Sequence, residues 1–349
     1  MVSDTSFSYR RTAINSISNV LGFAARAVIG FFLLRYIVHQ LGPVEYSIVP
    51  LVGACMSYLL LLNLGTGMGM ARYMSAAHAR GENDEVTKVY TSMFLVLALI
   101  GAILLLAGLL VSWQFSRIFT IPSSLEKVAM VVMSLTVLSS AFRMPFNVLQ
   151  SAFVATDSYL LSNAIGAGSD VLRAIITVVF FEVFGSSVVW TAVAQTMVIL
   201  ITTACEWHAV RRILPCARID LALFDPRMAF KVMSFSLAVF VGSISGILYW
   251  DTDKIIINKF LSAEELTIFA VVLTIALSLY QLLNVPINVL FPTIVRAQTT
   301  KNLQIVREII YRGTRLCVLM GLPCWILFVV FADPFFNWYL GVTYQNIWS

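Results

Sequence analysis

The sequence is short of charge. Asp, Glu, Lys and Arg make up 12% of its 349 residues, and hydrophobic side chains make up 59%. Soluble domains average about 25% charged and about half apolar. So few polar side chains cannot coat a water-exposed surface, which excludes a soluble enzyme. Coiled coils and disordered chains, both rich in charge, are excluded by the same scarcity. The five cysteines (Cys55, Cys205, Cys216, Cys317, Cys324) are scattered with no CxxC pair. They read as small buried residues, not as disulfides or metal ligands. His39, His78 and His208 match no zinc spacing. There is no Walker motif, acidic cluster or nucleophile constellation, so no catalytic residue, cofactor or metal is assigned. Arg10 and Arg11 precede a long first apolar stretch, which fits an uncleaved anchor better than a cleavable signal.

What the chain has is long apolar sequence, with a mean hydropathy of +0.88. No charge occurs between Lys88 and Arg117, between Glu182 and Glu206, or between Glu265 and Arg296. Each gap exceeds the ~20 residues that cross a hydrocarbon core of ~30 Å. Runs this long and continuous predict helices; a transmembrane barrel would show short alternating segments. The expected fold is an all-α polytopic membrane protein of nine spans. These are Ala13–Tyr36, Val44–Ala71, Val89–Trp113, Val128–Phe153, Tyr159–Phe181, Val188–Trp207, Phe230–Trp250, Leu266–Phe291 and Ile309–Phe331. A polar linker with Pro215 and Pro226 divides residues 1–209, a six-helix lobe, from residues 229–349, a partial second lobe; the linker itself is 210–228.

Lys and Arg in the connecting loops set the expected orientation. With the N-terminus cytoplasmic, sixteen of them, Arg143 included, fall inside and five fall outside. An internal repeat accompanies this topology. A shift of 220 residues sets Leu41-Gly42-Pro43-Val44-Glu45-Tyr46 over Leu261-Ser262-Ala263-Glu264-Glu265-Leu266. The same shift lays the second and third spans on the eighth and ninth. Parallel repeats of this kind recur in transporters whose halves rock about a central site. By that register Asp333–Gly341 is an outer loop, Tyr344–Ser349 opens a tenth span, and about three helices are missing. A fragment or truncated reading frame is the expectation.

Polar residues recur inside the spans at helical spacing. The first span carries Asn15, Asn19, Gly22 and Arg26; the fourth Thr136, Ser140, Arg143, Asn147 and Gln150. The fifth carries Asn163, Gly166, Asp170, Arg173 and Thr177; the eighth Thr274, Ser278, Gln281 and Asn288. Each set shares one helix face. The third span is nearly blank. Polar groups facing lipid are costly, so these stripes face protein or water. They line a shared cavity, or they join helices by hydrogen bonds. Arg26 and Arg173 are the sharpest signals, because a mid-membrane arginine costs roughly 2.5–3.5 kcal/mol on insertion scales. Asp170 stands one turn from Arg173 and can form an i, i+3 pair, so a structural ion pair competes with anion binding there. Arg26 has no acid in its own helix, and Arg143 lies nearer the inner loop. Asp251 and Asp253 mark a gate or ion-coupling site, or an ordinary helix end in the headgroup zone. Gly65-Thr-Gly67-Met-Gly69 follows no strand and reads as a hinge or close helix contact rather than a dinucleotide fingerprint.

The layout resembles a known family. Asn19-Val-Leu-Gly22 with Arg26, Tyr36 through Leu41-Gly42-Pro43-Val44-Glu45-Tyr46, and Asn63-Leu-Gly65 through Ala71-Arg72-Tyr73 carry the resemblance. Asp253-Lys254, Leu261-Ser-Ala-Glu264 and Pro286 to Pro292 extend it. It is to the polysaccharide-transporter branch of the multidrug/oligosaccharidyl-lipid/polysaccharide exporter superfamily, the Wzx-type flippases of O-antigen and exopolysaccharide. Family members usually have twelve or more spans, which is where this chain departs.

The resemblance implies a bacterial inner-membrane protein that moves polyprenyl-pyrophosphate-linked oligosaccharide by alternating access. Its partners would be that lipid-linked oligosaccharide, membrane lipids and polysaccharide polymerase machinery, with no nucleic acid. Arg26, Arg173 and Arg143 would face the pyrophosphate, and Asn15, Asn19, Asn163 and Gln281 the sugars. Asp170, Asp251 and Asp253 are the ion-coupling candidates. Two alternatives stand beside this: a drug or metabolite exporter of the same superfamily, and a membrane-embedded polymerase or glycosyltransferase. The first would favour an acidic cavity, whereas the charges here lean basic; the second would favour a large catalytic outer loop.

Overall fold

A computed structural model describes the backbone over residues 5–299 and 303–341, and side chains over 22–237, 240–281 and most of 307–341. All regular structure among the described residues is helical. The first half runs α1 Thr5–Tyr46, α2 Ile48–Leu60, α3 Thr66–Ala79, α4 Asn83–Trp113, α5 Phe115–Ile118, α6 Glu126–Arg143 and α7 Val148–Ala155. There follow α8 Tyr159–Phe184, α9 Val188–Ile213, α10 Pro226–Trp250, α11 Thr252–Phe260, α12 Ala263–Thr299, α13 Leu303–Val330 and α14 Ala332–Leu340. Seven helical stretches among the described residues are long and apolar enough to cross a membrane. Two bent pairs bring the total to as many as nine: Ile48–Asn63 with Thr66–Ala79 at 42°, and Pro226–Leu237 with Phe240–Phe260 at 48°. The protein is a multi-pass membrane protein, as its scarcity of charge predicts.

Two compact units are present, Met1–Gly30 with Gln40–Thr267, and Phe31–His39 with Ile268–Ser349. In the first, the quoted motifs have identifiable work. Gly42 breaks α1 at φ 73°, ψ 171°, a conformation closed to residues with a Cβ, and Pro43 follows it. The break lets Glu45 reach the start of α9. One of its carboxylate oxygens accepts from Val188 N at 2.7 Å and from Ser187 Oγ at 3.1 Å. A helix start leaves amides without partners, and this carboxylate takes one of them. Between α2 and α3, Leu64 and Gly65 are both left-handed (φ 53° and 65°), and Thr66 Oγ1 donates to Asn63 Oδ1 at 2.8 Å. The glycine run that follows supplies a close contact. A Cβ on Gly69 would lie 2.7 Å from the Val232 carbonyl oxygen of α10, whereas one on Gly67 would meet nothing. Hinge and contact are both present, at different glycines.

α4 and α6 approach closely for the same reason. A Cβ on Gly101 would sit 2.8 Å from the Ala141 oxygen, and one on Gly108 2.5 Å from Val137 Cγ1. Small residues let helices in lipid gain the van der Waals contact that water would not enforce. α11 is tied across to α2 and to the α5–α6 loop. Tyr58 and Thr252 hydroxyls are 2.7 Å apart, and Asn258 bonds both the Thr120 amide (3.0 Å) and its carbonyl (3.1 Å). Ser262 and Glu265 open α12 with reciprocal side-chain-to-amide bonds of 2.9 and 3.1 Å, a capping box.

Within the 210–228 linker, α9 continues to Ile213 and α10 begins at Pro226. Residues 214–225 lie along α4. Thr87 Oγ1 donates to the Cys216 carbonyl (2.6 Å), Thr91 Oγ1 accepts from Asp220 N (3.0 Å), and Ser92 Oγ accepts from Asp225 N (2.9 Å). Asp225 then caps α10, with Pro226 in the first turn.

In the second unit the expected loop Asp333–Gly341 is a helix instead, α14. Its aromatic side chains give it a face to bury. Tyr339 is fully buried, its hydroxyl donates to the Phe31 carbonyl at 2.7 Å, and its own carbonyl lies 2.9 Å from His39 Nε2. Arg35 stacks 4.0 Å over Trp338. Residues 344–349, where a tenth span was expected to open, lie outside the described residues. Cysteine burial also differs from expectation. Cys55 is buried, but Cys205 and Cys324 are exposed on their helices. A small thiol is tolerated on a lipid-facing surface as readily as in a core.

Candidate functional site

The stripe on α8 is the spine of the site. Asp170 and Arg173 lie about 17 and 21 Å along the helix from Tyr159, at 1.5 Å per residue. α6 and α7 belong to one span, Glu126–Ala155, so Arg143 stands about 18 Å from the Ala155 end. The sequence reading set Arg143 in the fourth span but nearer the inner loop than Arg173 and counted it with the inner charges; along the helix it stands as deep as Arg173. All three residues are at one depth, and all three line one cavity. Its volume is about 190 Å³, and Ser169, Gln195, Val198, Ile199 and Thr202 complete the wall. That is about six waters at ~30 Å³ each, below the ~300–1,000 Å³ typical of drug-sized ligand sites.

The two arginines are held differently. Arg143 NH2 is 2.6 Å from Glu206, and NH1 donates to Thr203 at 2.9 Å. The Glu206 side chain is only 6% exposed, and its other oxygen accepts from Gln150 Nε2 at 2.8 Å. Glu206 was not singled out from the sequence, although Gln195, Thr202 and Glu206 lie at helical spacing on α9 and that pattern would have found it. Arg173 is held loosely, at 3.2 Å from Asp170 and 3.3 Å from Gln195. Its Nε is buried with no hydrogen-bond partner among the described residues. The Arg143–Glu206 contact is a close ion pair in which Glu206 Oε2 makes no hydrogen bond among the described residues. Coulomb attraction falls with separation, so Arg143 is the more tightly held and Arg173 keeps donor capacity for a ligand.

The cavity is also less basic than its sequence suggested. Two guanidiniums, Arg143 and Arg173, face two carboxylates, Glu206 and Asp170, and their formal charges cancel. Arg26 does not line this cavity. It donates to Asn163 Oδ1 at 2.9 Å and lies against Gly166, where a Cβ would be 3.5 Å from its guanidinium carbon. Asn163 precedes Asp170 by two turns on the same face, about 10 Å away. Among the described residues Arg26 has no carboxylate within ion-pair distance.

The remaining residues are dispersed. Asn15 and Asn19 lie outside the described side chains. Gln281 is exposed on α12, in the second unit. Asp251 is paired with Lys254 at 2.6 Å in the turn between α10 and α11, and Asp253 is exposed. Among the described residues no group of three or more His, Cys, Asp or Glu side chains is placed to hold a metal ion.

Solved structures of transporters of the MOP superfamily share this fold. An inward-facing multidrug resistance MATE transporter of that superfamily superposes with a TM-score of 0.75 at 15% identity, over 92% of this chain and 77% of that one. An outward-facing MATE transporter gives 0.71 at 15% identity, over 97% and 75%. A MOP superfamily transporter from Pyrococcus furiosus, described as having a binding pocket of reverse polarity, gives 0.70 at 14% identity, over 94% and 73%. The family is narrower than the fold. A family model described as "Polysaccharide biosynthesis protein" matches residues 12–298, and the chain belongs to that family. Comparison with curated protein sequences gives no significant match.

Proposed function

We propose that this chain is a flippase. It moves a polyprenyl-pyrophosphate-linked oligosaccharide across the bacterial inner membrane by alternating access, for the synthesis of surface polysaccharide. Its N-terminus is cytoplasmic in this reading, and the protein does no chemistry on its cargo. The moving halves are residues 1–209 and 229–349, joined by 210–228. The observation that carries the proposal is Arg173, a mid-depth guanidinium held by two long contacts and with an unsatisfied Nε. A pyrophosphate oxygen can take those donors at little cost, because it displaces weak bonds rather than a short ion pair. Arg26 adds a cation on the same α8 face. Ser169, Gln195 and Thr202 offer the neutral polar groups that sugar hydroxyls require. Membership of the polysaccharide biosynthesis family supports the same substrate class.

Asp170 in the cavity wall, with Glu206 paired to Arg143 beside it, favours one second reading, a MATE-like exporter of a cationic drug or metabolite. One experiment separates them. The sidedness of lipid-linked oligosaccharide is measured in cells lacking the gene, complemented with wild type, Arg173→Ala, Arg26→Ala or Arg143→Ala. Inner-leaflet accumulation relieved by wild type, and not by Arg173→Ala, is expected. Normal oligosaccharide sidedness with altered tolerance to cationic dyes would replace this function with the second.

A further inference from the structure

The linker has a depth as well as a position. Its bonds to α4 move inward along that helix, from Thr87 to Thr91 to Ser92. Lys88 is the last charge before the charge-free stretch of α4 from Val89 to Trp113, which rises about 38 Å at 1.5 Å per residue. Centring a hydrocarbon core of ~30 Å on that stretch puts its edge about 4 Å beyond Val89, near Thr91 and Ser92. Residues 218–225 therefore lie beside the core edge, within the ~5–7 Å of headgroups.

Their side chains suit that depth. Leu221 is 69% exposed, Phe224 44% and Ile219 37%, although a loop standing in water would turn such residues inward. Arg218, Arg227 and Lys231 are exposed among them. Asp220 and Asp225 are turned to other tasks, because each caps the helical turn that follows it. Their contacts with neighbouring bases are long, 3.7 Å from Arg218 to Asp220 and 3.9 Å from Lys88 to Asp225.

We propose that residues 218–231 form a docking surface for anionic phospholipid. Ile219, Leu221 and Phe224 sit at the headgroup–acyl boundary, and Arg218, Arg227 and Lys231 hold the lipid phosphates. The surface is separate from the cavity on α6, α8 and α9, so it stands whatever the transported substrate is. Because the same segment joins α9 to α10, bound lipid bears directly on the connection between the two halves of the chain.

The full chain is reconstituted in nanodiscs of phosphatidylcholine with phosphatidylglycerol, and retained lipid is read by native mass spectrometry. Each basic residue near an anionic surface is worth roughly fivefold in affinity. Wild type should enrich phosphatidylglycerol well above its bulk share, and the triple variant Arg218→Gln/Arg227→Gln/Lys231→Gln should fall back towards it. Unchanged enrichment in a folded triple variant would overturn the proposal. Depth is tested independently with a nitroxide at Leu221→Cys, in a background lacking the native cysteines. Oxygen should reach it better than a nickel chelate, the reverse of a label at exposed Glu82→Cys; equal nickel access at both positions would also overturn the proposal.

Discussion

Glu206→Gln should be among the costliest single-atom changes in this protein. The substitution keeps the side-chain shape and the contact with Gln150 but removes the negative charge 2.6 Å from Arg143. Removing one member of a buried pair strands the other, which costs about 3–5 kcal/mol when both are fully buried. Arg143 retains 21% exposure, against 6% for Glu206, so cavity water recovers part of that loss and about 3 kcal/mol is expected. Asp170→Asn provides the internal comparison. Its pair with Arg173 is 3.2 Å long with side chains 36% and 26% exposed, so it should cost no more than about 1 kcal/mol. Both are measured by reversible denaturant unfolding in micelles, alongside Arg143→Met/Glu206→Gln. The double variant should recover stability relative to Glu206→Gln, since no charge is then stranded. If Glu206→Gln and Asp170→Asn cost the same, or the double variant is worse than additive, the account of a pinned and a loose arginine fails.

Other outcomes follow from the packing. Gly108→Val should cost about 1–3 kcal/mol by forcing α4 from α6, whereas Gly30→Ala, with nothing within 4 Å of its Cβ, should be neutral or stabilising by up to about 1 kcal/mol; unfolding free energies report both. Asn258→Ala leaves both backbone groups of Thr120 without that partner and should cost about 1–3 kcal/mol in the same assay. Burial raises the Cys216 thiol above its ordinary value, so less thiolate exists at neutral pH than in a free cysteine. Its alkylation by maleimide should be slower than that of a model thiol and rise steeply with pH. By linkage the same shift stabilises the fold below the ordinary thiol pKa and is lost as pH climbs through the raised one.

The class of this protein was fixed by composition alone. A bilayer imposes a one-dimensional test, ~20 apolar residues per crossing, and hydropathy along the chain answers it without knowledge of contacts. Helical periodicity is also local, so the α8 stripe and its Asp170–Arg173 pair were legible three residues apart. Glycine and proline at Gly42-Pro43 and Gly65 announced breaks because the constraint resides in the residue itself. Arg143 was misjudged for the opposite reason. Its span was legible to Phe153, but its partner Glu206 lies on another helix, visible only once the rotation of α9 about its axis is set. The Asp333–Gly341 segment was likewise misjudged, because its helix is held by Phe31 and His39 some 300 residues earlier. Sequence decided which residues enter the membrane, since transfer from water is a property of each side chain. Tertiary structure decided which charges meet there, since in a low-dielectric interior fractions of an ångström separate a tightly paired arginine from a loosely held one.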